Sequence, residues 1–211
     1  MTRRGVERMK MMLSLAGAAL LLAACAVGGR GGAIGYYDLG ASRQAAVSSA
    51  AAGVGSVEVR APSWLESSAL QYRLLYRDDH RRRSYAESRL VAPPGELVEH
   101  ALRRRLVAAG ARLSGCRLRV RLDEFLQVFD APADSRAVLE ARVQLLGAGG
   151  LPLAERGISI SRPAPAPDAQ GGVTALGAAV DELAATLAEW LAGLDRGQGA
   201  GLNISERCRS T

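Results

Sequence analysis

Few residues in this chain could do chemistry, and their spacing decides which kind. There are three cysteines, Cys25, Cys116 and Cys208, and two histidines, His80 and His100. None of them forms a Cys/His cluster at metal-ligand spacing, so no metal site is expected. His80 lies in a charged stretch and His100 on a helix flank, and Asp78-Asp79 reads as a solvated turn rather than a metal-binding pair. Neither G-x-S-x-G nor H-E-x-x-H occurs. Counting G-x-G-x-x-G from Gly29 places Ile34 where the last glycine of a dinucleotide fingerprint belongs. Catalysis needs a convergent acid, base, nucleophile or metal. With no such set in view, neither an enzyme nor a cofactor is expected.

The chemistry that remains is at Cys25. The first ten residues, MTRRGVERMK, carry Arg3, Arg4, Arg8 and Lys10 against Glu7, and the stretch MMLSLAGAALLLAA that follows has no charge. A basic head before a short apolar run is secretory signal architecture. A spanning helix needs about 20 apolar residues. The 17 residues from Met11 to Val27 are fewer, and about half of them are Ala, Gly, Ser or Cys. At the end of the run, Leu22-Ala23-Ala24-Cys25 resembles the bacterial lipobox. Its small residues let the backbone lie in a signal-peptidase cleft. Its thiol takes a diacylglyceryl group, and cleavage frees an amine for further acylation. The alternative is a buried free thiol in an uncleaved anchor. Two or more acyl chains make a stable anchor, since each buried CH₂ contributes about 0.8 kcal/mol. Ala26 stands where an inner-membrane retention signal would place Asp. The expected address is therefore the periplasmic face of the outer membrane, with the covalent lipid on Cys25 as the sole attached group.

Cleavage leaves 187 residues. The discarded segment holds four of the 27 basic residues and one of the 21 acids, so the net charge falls from +6 to +3. That charge is no nucleic-acid footprint. In an oxidising compartment a disulfide between Cys116 and Cys208 is open, although sequence alone does not bring them within bonding distance.

Beyond residues 25–35, a lipidated cysteine and Gly-rich tether, the pattern predicts one α+β domain over 36–195 and a flexible tail over 196–211. Tyr36–Leu39 reads as a short strand and 40–53 as a loop. Val54–Arg60 alternates Val57 and Val59 with polar neighbours, and Leu70, Tyr72, Leu74 and Tyr76 alternate in the same way. Residues 78–84 read as an exposed turn, with a partner strand at Tyr85–Val91. A helix follows Pro93-Pro94 and runs toward Gly110, with Leu97, Val98, Ala101, Leu102, Leu106 and Ala109 as its apolar stripe. In 116–130, Leu118, Val120 and Leu122 point one way and Arg117, Arg119 and Arg121 the other. A hairpin across 130–135 leads to Ala137, Leu139, Ala141, Val143 and Leu145, and a further strand is expected at about 152–161. The last helix carries Val173, Leu176, Val180, Leu183, Leu187, Trp190 or Leu191, and Leu194 on one face. The expected architecture is a mixed or mostly antiparallel sheet of six to seven strands with two packed helices.

In that order and spacing, the lipobox-like stretch, YYDLG at 36–40, VEVRAPSWLESSALQYR at 57–73, APPGELVEHALRRRL at 92–106, LDEFLQVFDAPADSRAVLEARVQLL at 122–146 and AAVDELAATLAEWL at 178–191 resemble the ABC-type transport auxiliary lipoproteins. The resemblance implies a non-catalytic, periplasm-facing lipoprotein on the outer membrane. Its implied partner is the substrate-binding protein of an ABC-type lipid-transport system, carrying a mammalian-cell-entry (MCE) domain, and its implied assembly is a homo-oligomeric ring. The other reading is a structural or envelope-assembly lipoprotein that binds another envelope protein without moving lipid. Arg117, Arg119 and Arg121 are the candidate contact with lipid headgroups or an acidic partner. The alternative for that file is cross-strand pairing with Glu140.

Overall fold

The protein is described by a computed structural model, which covers residues 32–40, 54–107, 113–196 and 204–208. Cys25 and the Leu22-Ala23-Ala24 motif before it, the 41–53 loop and Gly110 lie outside the described residues. Residues 34–211 form one unit.

The alternating run of arginines and aliphatic residues forms the longest strand. The strands are β1 Gly35–Tyr37, β2 Val54–Arg60, β3 Ala69–Leu74, β4 Asp78–Leu90, β5 Leu113–Ala131, β6 Asp134–Leu146 and β7 Pro152–Pro163. Helix α1, Pro94–Leu106, separates β4 from β5; helix α2, Ala169–Asp195, follows β7; and a single turn, α3, covers Ile204–Arg207. The strands make one seven-stranded sheet in the order β1-β4-β3-β5-β6-β7, with β2 also on β5. One edge of β5 takes β6 antiparallel along most of its length. The other edge takes two parallel partners end to end, β2 along Leu113–Arg121 and β3 along Gln127–Phe129. β2 and β3 thus behave as one interrupted strand. Between them, Pro62 has no N–H to donate, and the 3-10 turn Ser63–Leu65 drops Leu65 fully into the core. The sheet is mixed, because β1, β2 and β3 each run parallel to a partner.

Side-chain alternation sorts the two faces. Leu118, Val120, Leu139, Val143 and Leu145 have no exposed surface, and they face the helices. From α1 come Val98, Leu102 and Leu106; from α2 come Leu176, Leu183, Leu187 and Leu191, each at most 2% exposed. The helices are joined by a nearly buried ion pair: Arg105 donates to the Asp181 carboxylate at 2.8 Å and to the Asp181 carbonyl at 3.2 Å. A Cβ at Gly177 would stand 2.5 Å from the Leu39 carbonyl oxygen, so the missing side chain lets the segment after β1 lie against α2.

Four boundaries differ from expectation. The arginine-rich 78–84 stretch belongs to β4; the chain turns at residues 75–77, where no Gly or Pro marks it. The charges suit a strand that pairs on one side for most of its length, since charge on an edge discourages further strand addition. α1 stops at Leu106 because Val107 is already extended and bridges to Val54. α2 begins four residues before Val173: the Asp168 side chain caps it, accepting the Gly171 N–H at 2.7 Å. Finally, the stretch read as a flexible tail holds α3, with Ile204 and Cys208 buried. Cys208 is disulfide-bonded to Cys116, with a Cα–Cα distance of 4.8 Å, and Gly115 donates its N–H to the Cys208 carbonyl at 2.8 Å.

Two outcomes follow from this packing. The disulfide closes a loop of 92 residues, so C116S/C208S should unfold at lower denaturant, by about 2–5 kcal/mol; an unchanged midpoint would show that the packing of α3 suffices alone. Asp181→Ala strands Arg105 in the helix interface and should cost about 3 kcal/mol or more in the same measurement.

Candidate functional site

The three arginines foreseen on β5 project from the sheet face opposite the helices. Arg117 and Arg121 are exposed and Arg119 is half-buried. Their partners are not those expected. Glu140 stands opposite Glu124; the hairpin register sets Leu146, Gln144 and Arg142 opposite Arg117, Arg119 and Arg121, and the bulge at Asp123 comes only after them. The acid that meets the file comes from the other side: Glu58 on β2 lies in register with Arg119 and accepts from it at 3.3 Å. Glu58 also accepts from Arg60 at 2.7 Å. The Arg60 bond is the largest influence holding the Glu58 carboxyl below its usual range; the Arg119 bond adds to it and partial burial opposes both. On the far side of the file, Arg142 clasps Asp123 through two bonds of 2.9 and 3.1 Å, which raises the guanidinium pKa further. Among the described residues, Arg117 and Arg121 make no ion pair.

Further along the same face, Glu124 receives Arg82 at 2.6 Å and Arg73 at 3.5 Å, and Arg82 also donates to Gln71. This knot ties β3 and β4 to β5. On the helix side, fully buried Gln127 accepts from the Tyr85 hydroxyl and donates to Ser135, both at 2.8 Å. Burial, with Tyr72 and Asp168 nearby, pushes the Tyr85 pKa up. Gly172 supplies the room for that amide, since a Cβ there would collide with the Gln127 side chain.

The histidines take no part in either cluster. His80 is exposed beside Asp79 at 3.4 Å, and its backbone N–H donates to Asp78. His100 is exposed on α1. It lines an open cleft of about 610 Å³ between α1 and β2, where Glu99 accepts the Val59 N–H at 2.9 Å. No group of His, Cys, Asp or Glu among the described residues is arranged to hold a metal ion. Trp64 is exposed, whereas Trp190 packs against the core.

A family model for the ABC-type transport auxiliary lipoprotein component matches residues 37–188. The chain belongs to that family. It is the family its segment order resembles, and membership makes the protein an auxiliary lipoprotein component of ABC-type transport. Among solved structures, a Xanthomonas campestris protein of the family DUF330 superposes with a TM-score of 0.64 at 18% identity, over 78% of this chain and 100% of that one. A second crystal structure, of an uncharacterized protein, gives a TM-score of 0.57 at 15% identity, over 75% of this chain and 99% of that one. At these identities the likeness shows the fold. No curated protein matches the chain.

Sequence reasoning missed Arg60, Arg142 and Glu58 as members of the arginine site. The signal existed as outward positions of the alternation, but only the pairing of β2, β5 and β6 places them together.

Because the Glu58 carboxyl titrates below about pH 4.5 in the folded chain, its contribution is present above that pH and is lost as acid protonates it. Glu58→Gln should lower stability near pH 7 by less than about 1 kcal/mol, the pair being partly exposed. The difference from wild type should shrink as pH falls below 4.5; a difference that grows in acid would contradict the assignment.

Proposed function

We propose that this auxiliary lipoprotein is a non-catalytic adaptor of an intermembrane lipid-transport system. Acylated Cys25 holds it at the periplasmic face of the outer membrane, where it docks the MCE-domain substrate-binding component of the ABC-type transporter. The observation that carries this reading is the family match over 37–188, which starts shortly after a cysteine in lipobox-like sequence. The absence, among the described residues, of any helix long and apolar enough to cross a membrane is consistent with attachment through lipid. The Glu58, Glu124 and Gln127 clusters fit the same reading, since each ties neighbouring strands together. A ring of copies would give a tubular MCE assembly a symmetric landing surface.

Two measurements test this. In a Gram-negative host the wild-type chain should fractionate with the outer membrane and take up labelled palmitate, and Cys25→Ser should lose the label and accumulate unprocessed. Wild type solubilised in mild detergent should co-purify with the cognate MCE protein. Inner-membrane fractionation would remove the outer-membrane role, and repeated failure to capture the MCE protein would remove the docking role.

A further inference from the structure

The file of arginines along β5 draws attention in the sequence, but the register draws a different line. Arg60 on β2, Arg121 on β5 and Arg142 on β6 are direct neighbours across the sheet. Adjacent strands stand about 4.8 Å apart, so the three arginines leave the backbone within a row about 10 Å wide. All three residues are exposed. Like charges directly opposite one another weaken a sheet. The acids present restrain only the ends of the row: Glu58 holds Arg60, and Asp123 holds Arg142. Arg121, in the middle, has no ionic partner among the described residues. On β7 the next position is Gly157, where an added Cβ would meet nothing within 4 Å, so the row opens onto bare backbone.

We propose that the Arg60–Arg121–Arg142 row binds the phosphate of an anionic phospholipid headgroup. A guanidinium offers a planar fork of N–H donors that matches phosphate oxygens. The flanking carboxylates steer the two outer forks and leave the central one unsatisfied. The surroundings favour a single compact anion over an acidic peptide or a broad charged surface. On one side the row is bordered by Glu58, Arg119, Gln144 and Glu155, with Arg119 already engaged by Glu58, and on the other by Asp123 and the facing pair Glu124 and Glu140. An acidic strand laid across the face would meet these carboxylates within one or two residues, whereas a headgroup phosphate fits between them. The lipid source rests on the reading of the chain as a membrane-anchored lipoprotein. The binding test does not depend on the MCE partner, so failure of either reading is visible separately.

The test uses the mature lipidated protein in a neutral detergent, titrated calorimetrically with dihexanoylphosphatidylglycerol below its micellar concentration. Inorganic phosphate and a Glu-rich peptide serve as comparison probes. Saturable binding of the lipid is expected, weakened at least fivefold by Arg121→Gln and unchanged by Arg117→Gln, which removes an exposed arginine of the same strand outside the row. The unliganded R121Q protein should melt no lower than wild type, because the substitution removes the middle of three like charges; lost binding is then not lost folding. Equal lipid affinity in R121Q and wild type would overturn the site. Inorganic phosphate binding as tightly as the lipid would overturn the headgroup assignment. Binding of the peptide in preference to the lipid would overturn it in favour of a protein partner.

Discussion

The structure depends on one strand being paired along both edges, buried on one face along its first half and on both faces from Phe125 to Phe129. β5 carries β6 on one side and the interrupted strand β2–β3 on the other, and its inward side chains form the floor on which both helices pack. A one-residue slip of β5 would turn Leu118, Val120 and Leu122 to solvent and bring Arg117, Arg119 and Arg121 under the helices. Burying three guanidinium groups without partners is far costlier than any register-specific gain. The register is therefore set by the alternation itself, and the hairpin to β6, with matching alternation, reinforces it.

Two devices close the helical layer over this floor. The Arg105–Asp181 pair fixes α1 against α2 where both are otherwise apolar, and the Cys116–Cys208 disulfide returns the C-terminal segment to the start of β5. The opposite face receives no helix among the described residues. It is stabilised by pairs and knots of charge, among them Glu58 with Arg60 and Arg119, Arg142 with Asp123, and Glu124 with Arg73 and Arg82.

The core strands and the body of both helices were legible because their periodicities are strong and uninterrupted. β2 was readable to the residue. The misread places share a physical cause: local composition pointed one way and a distant partner decided otherwise. Arg81-Arg82-Arg83 looks like a solvated loop until Gln71, Tyr72 and Arg73 offer a strand to pair with. Val107 would extend a helix but is claimed by Val54. Gly171 and Gly172 look like loop residues, yet one satisfies the Asp168 cap and the other makes room for Gln127. The polar tail is held by a cysteine and an isoleucine whose burial nothing nearby in the chain announces.

By itself the sequence determined the α+β class, the order of the elements and the family. Periodicity, residue type and motif order are local properties that survive without coordinates. The tertiary structure alone decided which charges meet. Glu140 was the expected partner for the β5 arginines, but the hairpin register sets Gln144 and Arg142 opposite Arg119 and Arg121, and Glu58, some sixty residues upstream of Arg119, meets the file from the other edge. The row of Arg60, Arg121 and Arg142 joins the β5–β6 hairpin to β2, some sixty residues earlier in the chain. Strand pairing, not spacing along the sequence, is what sets their distance.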